Sequence, residues 1–245
     1  MERQPPGLVD VHCHILPALD DGALDLADSL AMARQAASDG IAVVCATPHI
    51  RDDHDVRIEE LPRRIAALNE QIDAAGIPLR VTGGGEVAQR AAEHMDAEAL
   101  RCVTLAGQAG VLIEPAPGPL GRDLQELAER LQGEGLQVLI AHPERHVDES
   151  FEQTLRRLVA AGCLIQWTAA FLTGEHGGIA LRFAKQGLLH LLASDAHSSH
   201  GGRPVHLSSA AQLLRQSCGA QLADWVAHDA PWALLRGEPV TPLPL

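Results

Sequence analysis

Lysine is nearly missing from this chain: Lys185 is the one example, beside 18 arginines. Aromatic side chains are scarce as well, with three Phe, three Trp and no Tyr. Basic charge is short overall, 19 Lys and Arg against 32 Asp and Glu, for a formal charge of −13. Such a chain repels phosphate backbones and anionic membrane surfaces, which argues against nucleic acid or lipid headgroups as partners. No apolar run approaches the roughly 18 residues of a membrane span. Met1 to Gly7 is polar and Pro-rich, without the apolar core of a signal peptide. The five cysteines (13, 45, 102, 163 and 218) are odd in number, scattered and free of any CxxC pair. That disfavours a disulfide framework and predicts reduced, buried thiols in a cytoplasmic protein. No G-x-G-x-x-G follows the first apolar run, so the dinucleotide fingerprint is missing too.

What is present is 46% apolar residues over 245 positions, enough for one sizeable core and suited to a single domain spanning residues 1–245. No repeat, low-complexity tract or linker divides it, and the Pro-rich ends (Pro5-Pro6; Pro239, Pro242, Pro244) read as fraying termini. Short apolar runs predict strands at Leu8–His12, Ile41–Ala46, Leu79–Thr82, Val111–Glu114, Leu136–Ala141, Leu164–Trp167 and Leu188–Ala193. Helical spacing fills the gaps: Leu26, Leu30, Ala33 and Ala37 before Gly40; Leu124, Leu127 and Leu131; Phe151, Leu155, Leu158 and Val159. Strict alternation predicts an α/β fold with a parallel sheet covered by helices. An open doubly wound sheet and a closed barrel both satisfy it.

The ionisable residues fall where such a sheet would use them. Six of the seven predicted strands end in or run into one, always at the C-terminal end, where parallel α/β folds assemble their sites. Strand one ends in His12-Cys13-His14, and period-2 alternation puts both imidazoles on one face with Cys13 on the other. Thr47-Pro48-His49, Gly85-Glu86, Glu114, His142-Pro143-Glu144-Arg145 and Asp195-Ala196-His197 follow the later strands, and Asp20-Asp21-Gly22 lies in the first loop. Buried carboxylates and imidazoles need partners, and metal ions supply them. Nine candidate ligands result: His12, His14, Asp21, His49, Glu86, Glu114, His142, Asp195 and His197. Nine groups suit two or three ions, with a carboxylate bridging. Arg145 and Arg203 sit beside this cluster; a guanidinium near cationic metals implies an anion between them, and its planar fork matches phosphate. The competing explanation for Arg145 is a salt bridge to adjacent Glu144.

In this order the motifs resemble those of the PHP (polymerase and histidinol phosphatase) superfamily. The strings "ATPH", "LIEPAP", "AHPERH" and "ASDAH" resemble one branch in particular, the bacterial metal-dependent tyrosine-protein phosphatases linked to capsule and exopolysaccharide assembly. The resemblance runs from about Val9 to Pro204. It implies a distorted (β/α)7 TIM-like barrel with a trinuclear site, often manganese, with zinc or iron as alternatives. It also implies a division of the ligands: His12, His14, Glu86 and Asp195 on one ion; Glu86 as bridge, Glu114 and His142 on a second; Asp21, His49 and His197 on a third. A metal-activated hydroxide would then cleave a phosphoric monoester held by Arg145 and Arg203, the substrate being a phosphotyrosyl protein, for which a bacterial tyrosine autokinase is a candidate. His146 replaces the Tyr that commonly follows this His-Pro-Glu-Arg string, and Gly83-Gly84-Gly85 is richer in glycine than usual. Both are expected near the mouth, where substrate is chosen.

The rivals are a histidinol-phosphate-like small-molecule phosphatase, a polymerase-associated exonuclease disfavoured by the charge, and an amidohydrolase. The last typically bridges its metals with a strand-end lysine, whereas Lys185 falls in a predicted helix. A non-catalytic metal-binding module leaves the two arginines unexplained. His146, His176 and His200 are loop candidates for a general acid, and no predicted helix declares an oligomer interface.

Overall fold

Residues 7–241 and 243 are described by the computed structural model, so Pro5, Pro6, Pro242 and Pro244 lie outside the described residues. Among the described residues there are nine strands: β1 (Leu8–Cys13), β2 (Ile41–Ala46), β3 (His49–Ile50), β4 (Arg80–Gly83), β5 (Glu86–Ala88), β6 (Gly110–Glu114), β7 (Gln137–Ile140), β8 (Leu164–Thr168) and β9 (Leu191–Ala193). All pairings are parallel, in the orders β1-β2-β4 and β3-β5-β6-β7-β8-β9. The seven predicted strands are all there, with ends shifted by up to three residues. Two short strands were not expected. Both continue a predicted strand past a break, at Thr47-Pro48 and at Gly84-Gly85, and each carries a candidate ligand, His49 or Glu86. The result is a mixed α/β fold whose parallel sheet curls round, the last strand meeting the first through a Cys13–Ala196 bridge and the hydrogen bonds Asp195 N to His12 O and His14 N to Ala196 O, both 2.9 Å.

Alternating side chains along each strand feed two apolar clusters. Val111 and Ile113, Val138 and Ile140, Ile165 and Trp167 face the helices. Leu112, Leu139, Leu164, Leu191 and Ala193 point the other way, into a second cluster. That cluster is closed at the N-terminal ends of the strands by Trp232 and Val240, and Trp232 Nε1 donates to the Gly7 carbonyl at 3.2 Å. The chain at Pro239-Val240 is therefore packed rather than frayed: Val240 is buried and its carbonyl accepts from Gln137 Nε2.

The helix Leu26–Ser38 is capped by Asp25, whose side chain accepts from Asp28 N, and it stops before Gly40 at φ +83°. Its buried apolar residues are Met32, Ala33 and Ala36, while Leu26 is partly exposed, so the apolar face is rotated from the one its leucines predict. The helices Arg122–Gly133 and Phe151–Ala160 bury the expected leucines. Lys185 lies just past the helix Gly177–Ala184, at its C-cap rather than inside it, and on no strand end. Among the described residues no helix is long and apolar enough to cross a membrane. The buried-thiol expectation fails for Cys102, which is exposed, and Cys218 is only partly covered; all five cysteines are free.

One core histidine makes stability depend on pH. His190 Nδ1 accepts from Ile165 N at 3.0 Å, and burial pulls the imidazole down to about 4. The unfolded chain, with an ordinary value near 6.5, takes up a proton first, so stability contributed by neutral His190 is lost as pH falls from about 6.5 toward 4. At pH 5 the loss is about 2 kcal/mol. Thermal midpoints of wild type and His190→Gln should converge on acidification across this interval; parallel curves would refute it.

Candidate metal centre

Every candidate ligand reaches the same end of the curled sheet, by local devices that differ from strand to strand. On β1, Val9 and Val11 share the cluster that faces away from the helices, so strict alternation would turn His12 toward them. A register break between Asp10 and Cys13 prevents this. Asp10 accepts the backbone N–H of His12, 3.3 Å away, and also takes Ser194 N (2.9 Å) and Ser194 Oγ (2.5 Å), joining β1 to the turn after β9. Past the break His12 and His14 lie side by side, Nε2 to Nε2 3.3 Å, and Cys13 packs into the helix-facing cluster as expected. Burial raises the Asp10 carboxyl to about 6 despite those bonds.

His142 and Asp195 follow their strands in the left-handed region, at φ +29° and +51°. Non-glycine residues there cost of order 1 kcal/mol or more and persist where surrounding structure fixes them. Asp195 is fixed by its N–H to His12 O and by Arg203 Nε, which donates to its carbonyl at 2.6 Å. Glu86 arrives after Gly84 and Gly85, both buried; a Cβ on Gly84 would meet Leu105 at 2.8 Å, and one on Gly85 would meet Ile50 at 2.9 Å. The glycine run is therefore a packing device that lets β4 break and β5 begin, not part of the mouth. Gly22 serves the first loop in the same way, since a Cβ there would fall 2.3 Å from the His14 carbonyl.

The nine side chains form four overlapping groups, each with its ligand atoms within 4.8 Å of one another. They are His14, Asp21, His49 and His197; His12, His14 and Glu86; His12, His142 and Asp195; and His49, Glu86 and Glu114. This differs in part from the division implied by the resemblance, because His14 joins the Asp21 group and His49 joins Glu86 and Glu114. Glu86 is the hub: His142 Nε2 lies 2.6 Å from Oε1, and His49 Nδ1, His14 Nε2 and His12 Nε2 lie 2.9, 3.3 and 3.4 Å from Oε2.

The electrostatics are those of a site built around cations. Burial would raise Glu86, but His12, His14 and His142 outweigh it and hold the carboxyl well below its usual range. Burial pulls His14 down, yet Asp20 and Glu86 hold it protonated up to about 10. His197 falls to about 4 through burial and repulsion from His14. Despite these close approaches several buried atoms make no aligned hydrogen bond: His49 Nδ1, Glu86 Oε2, His142 Nδ1 and Asp195 Oδ1. Four such atoms on four candidate ligands, crowded at these distances, fit divalent ions.

Sequence reasoning missed three supporting residues. Asp20 accepts from His14 Nδ1 at 2.7 Å and from His49 N at 2.9 Å, orienting two imidazoles at once. Gln166 accepts from His12 Nδ1 at 3.0 Å. Arg51 lies 3.5 Å from Glu114. Asp20 stood beside Asp21 in the sequence, but nothing there tells which of two adjacent carboxylates turns inward; Gln166 and Arg51 carry no signal of their own.

Arg145 and Arg203 both converge on Asp195: Arg145 Nη2 pairs with Oδ2, and Arg203 Nε lies 3.2 Å from the same oxygen. Arg203 Nη2 also reaches His197 Nδ1 at 3.0 Å. The local alternative for Arg145 is absent, since Glu144 is turned into the fold, where it accepts from Thr168 N. A cavity of about 540 Å³ opens beside the cluster, walled by Glu114, His142, Arg145 and His146 with Ala116 and Pro117. Of the three loop histidines only His146 borders it. His146 Nδ1 donates to the Gly118 carbonyl at 2.7 Å, and burial, with His142 and Arg145 nearby, lowers its imidazole. It therefore offers an acceptor nitrogen rather than an acid. His176 borders the helix Gly177–Ala184, and His200 is 82% exposed.

Comparison with known proteins points the same way. YwqE, a tyrosine-protein phosphatase of Bacillus subtilis (strain 168), is 34% identical over 240 residues, covering 95% of this chain and 93% of YwqE. CpsB, a tyrosine-protein phosphatase of Streptococcus agalactiae serotype III, is 22% identical over 242 residues, covering 94% and 99%. A crystal structure described as YwqE from Bacillus subtilis and CpsB from Streptococcus pneumoniae, unique metal-dependent tyrosine phosphatases, superposes with a TM-score of 0.86 at 32% identity, covering 96% of this chain and 97% of that one. A match to the family described as "Capsular polysaccharide synthesis, CpsB/CapC" extends over residues 8–236, and this chain belongs to that CpsB/CapC family.

Proposed function

We propose that this protein is a metal-dependent phosphoric-monoester hydrolase acting on phosphotyrosyl protein in capsule or exopolysaccharide regulation. The observation that carries it is the convergence of nine ligand side chains at one end of the sheet, with Arg145 and Arg203 meeting on Asp195, beside a cavity that Glu114, His142 and Arg145 line. The assignment extends to the PHP superfamily and to a single domain, and the curled sheet then counts as a distorted (β/α)7 barrel: β2 with β3, and β4 with β5, each make one broken strand of seven. A bacterial tyrosine autokinase is the candidate partner, in the cytoplasm.

Two to three divalent ions would be held by His12, His14, Asp21, His49, Glu86, Glu114, His142, Asp195 and His197. Manganese leads, with zinc or iron as alternatives. When bound, such ions acidify water and stabilise phosphoryl charge. The chain's own residues do the rest. Asp20 and Gln166 fix the His14 and His12 rings through their Nδ1 atoms, leaving both Nε2 atoms for coordination. Arg145 and Arg203, both partly exposed beside Asp195, present donors to the non-bridging oxygens of a phosphoryl group. Ala116 and Pro117 line the cavity with an apolar surface on which an aromatic ring would pack, and such packing would keep water from the leaving oxygen's far side. A phenolate, with a pKa near 10, leaves without a general acid. That accords with His146 holding an acceptor nitrogen.

Replacing Arg145 with Ala should lower kcat on a phosphotyrosyl peptide by about a hundredfold, with metal content unchanged by elemental analysis. Loss of metal along with activity would instead make it a structural partner of Asp195. The reading as a whole is tested by turnover of phosphotyrosyl peptides against a panel of sugar and amino-alcohol phosphates, histidinol phosphate included. A preference for the small alkyl phosphates would replace it with a small-molecule phosphatase.

A further inference from the structure

The cavity beside the ligand cluster does not end at the arginine that bounds it. Arg51, Asp52, Arg90 and Ala91 wall it on one side, and the same four residues wall a second depression of about 780 Å³. That second depression continues to Arg57, His94 and Met95. The two together form a groove that begins at Glu114 and Arg145 and extends well past what one phosphorylated side chain occupies. A small phosphate ester would leave the outer half unused; a segment of polypeptide would not.

The charged groups facing this groove are unequal in how they are engaged. Arg51 is committed, with Nε 2.7 Å from Asp53 and Nη1 3.5 Å from Glu114. Arg57 touches Glu60 only at 4.0 Å. Arg90, exposed on the short helix Gln89–His94, makes no ion pair among the described residues, and its only role there is local, its carbonyl accepting from His94 Nδ1 at 2.8 Å. It stands on the wall common to both depressions. Asp52 shares that wall, Asp53 is taken up by Arg51 and Glu59 lies farther out, so a long acidic run is opposed while a single carboxylate set against Arg90 meets a guanidinium with no ion pair among the described residues.

We infer that this groove binds the polypeptide on one side of the phosphotyrosine, and that Arg90 is a specificity-determining residue that takes the carboxylate of an acidic residue within two positions of it. The inference rests on the phosphotyrosyl-protein reading and names the class of substrate sequence. A partly exposed ion pair in such a groove shifts affinity by a modest factor and discriminates mainly by repelling the wrong charge.

The test uses the metal-loaded full chain and fluorescent phosphotyrosyl peptides identical except for Glu, Gln or Lys at one position within two residues of the phosphotyrosine. Binding is followed by anisotropy and turnover by phosphate release. Wild type should favour the best Glu peptide over its Lys counterpart by about three- to tenfold. Arg90→Ala should abolish the preference and Arg90→Glu should reverse it, a reversal that partial unfolding cannot produce. Equal discrimination in wild type and Arg90→Glu overturns the inference, as does absence of peptide binding. Charge-dependent binding without turnover upholds the groove and overturns the hydrolase reading instead.

Discussion

Stripping the divalent ions with a chelator is expected to lower hydrolysis of an aryl phosphate by about a thousandfold, equivalent to about 4 kcal/mol of transition-state stabilisation. Adding back Mn²⁺ or Zn²⁺ should restore it. The size of the effect follows from the scarcity of any other nucleophile. Cys13 lies between two ligand histidines in sequence but is fully buried, its Sγ 3.7 Å from the Ala196 carbonyl. Burial and the Asp10 carboxylate push its thiol well above the ordinary range, opposite to what a reactive thiolate requires. Burial raises the Cys45 and Cys163 thiols likewise, and exposed Cys102 lines neither depression of the groove. Cys13→Ser should accordingly retain most activity, while activity that survives thorough metal removal would sink the hydrolytic scheme.

Much of this site could be read from one sequence because parallel α/β sheets assemble chemistry at strand C-termini, and six of the seven short apolar runs here end in or run into an ionisable residue. His12, His49, Glu86, Glu114, His142 and Asp195 all follow that rule, and Asp21 and His197 lie a few residues beyond it. What could not be read is how the backbone turns those residues inward. Periodicity puts Val9 and Val11 on one face and His12 on the other; the break after Asp10 reverses that, and Asp10 is held there by Ser194, 184 residues away. Gly84 and Gly85 read as part of the mouth until Leu105 and Ile50 are seen against them. The same limit hides Asp20, Gln166 and Arg90, whose importance lies wholly in what they face. Local pattern fixes which residue types end the strands, and tertiary contact decides which of them are aimed at the centre.

Glu86→Gln should be the most damaging single substitution, lowering activity by about a thousandfold or more and metal content with it. The carboxylate is 1% exposed and lies within 3.4 Å of nitrogens from His12, His14, His49 and His142, belonging to two of the four ligand groups. The amide keeps its volume but sets an N–H donor among imidazoles and removes the one negative charge they share. The metal-free protein provides a second readout, independent of catalysis. With Asp20 and Glu86 holding His14 protonated up to about 10, against an ordinary value near 6.5, the folded state binds a proton that the unfolded chain has released. Stability from this source is complete below about 6.5 and is lost as pH rises toward 10. Thermal midpoints of the metal-free wild type should therefore fall between pH 7 and 10. In Glu86→Gln they should fall less steeply, the remainder being set by Asp20. A metal-replete, active Glu86→Gln protein would remove that carboxylate from the centre of the scheme and leave the five imidazoles with Asp21, Glu114 and Asp195 to hold the ions.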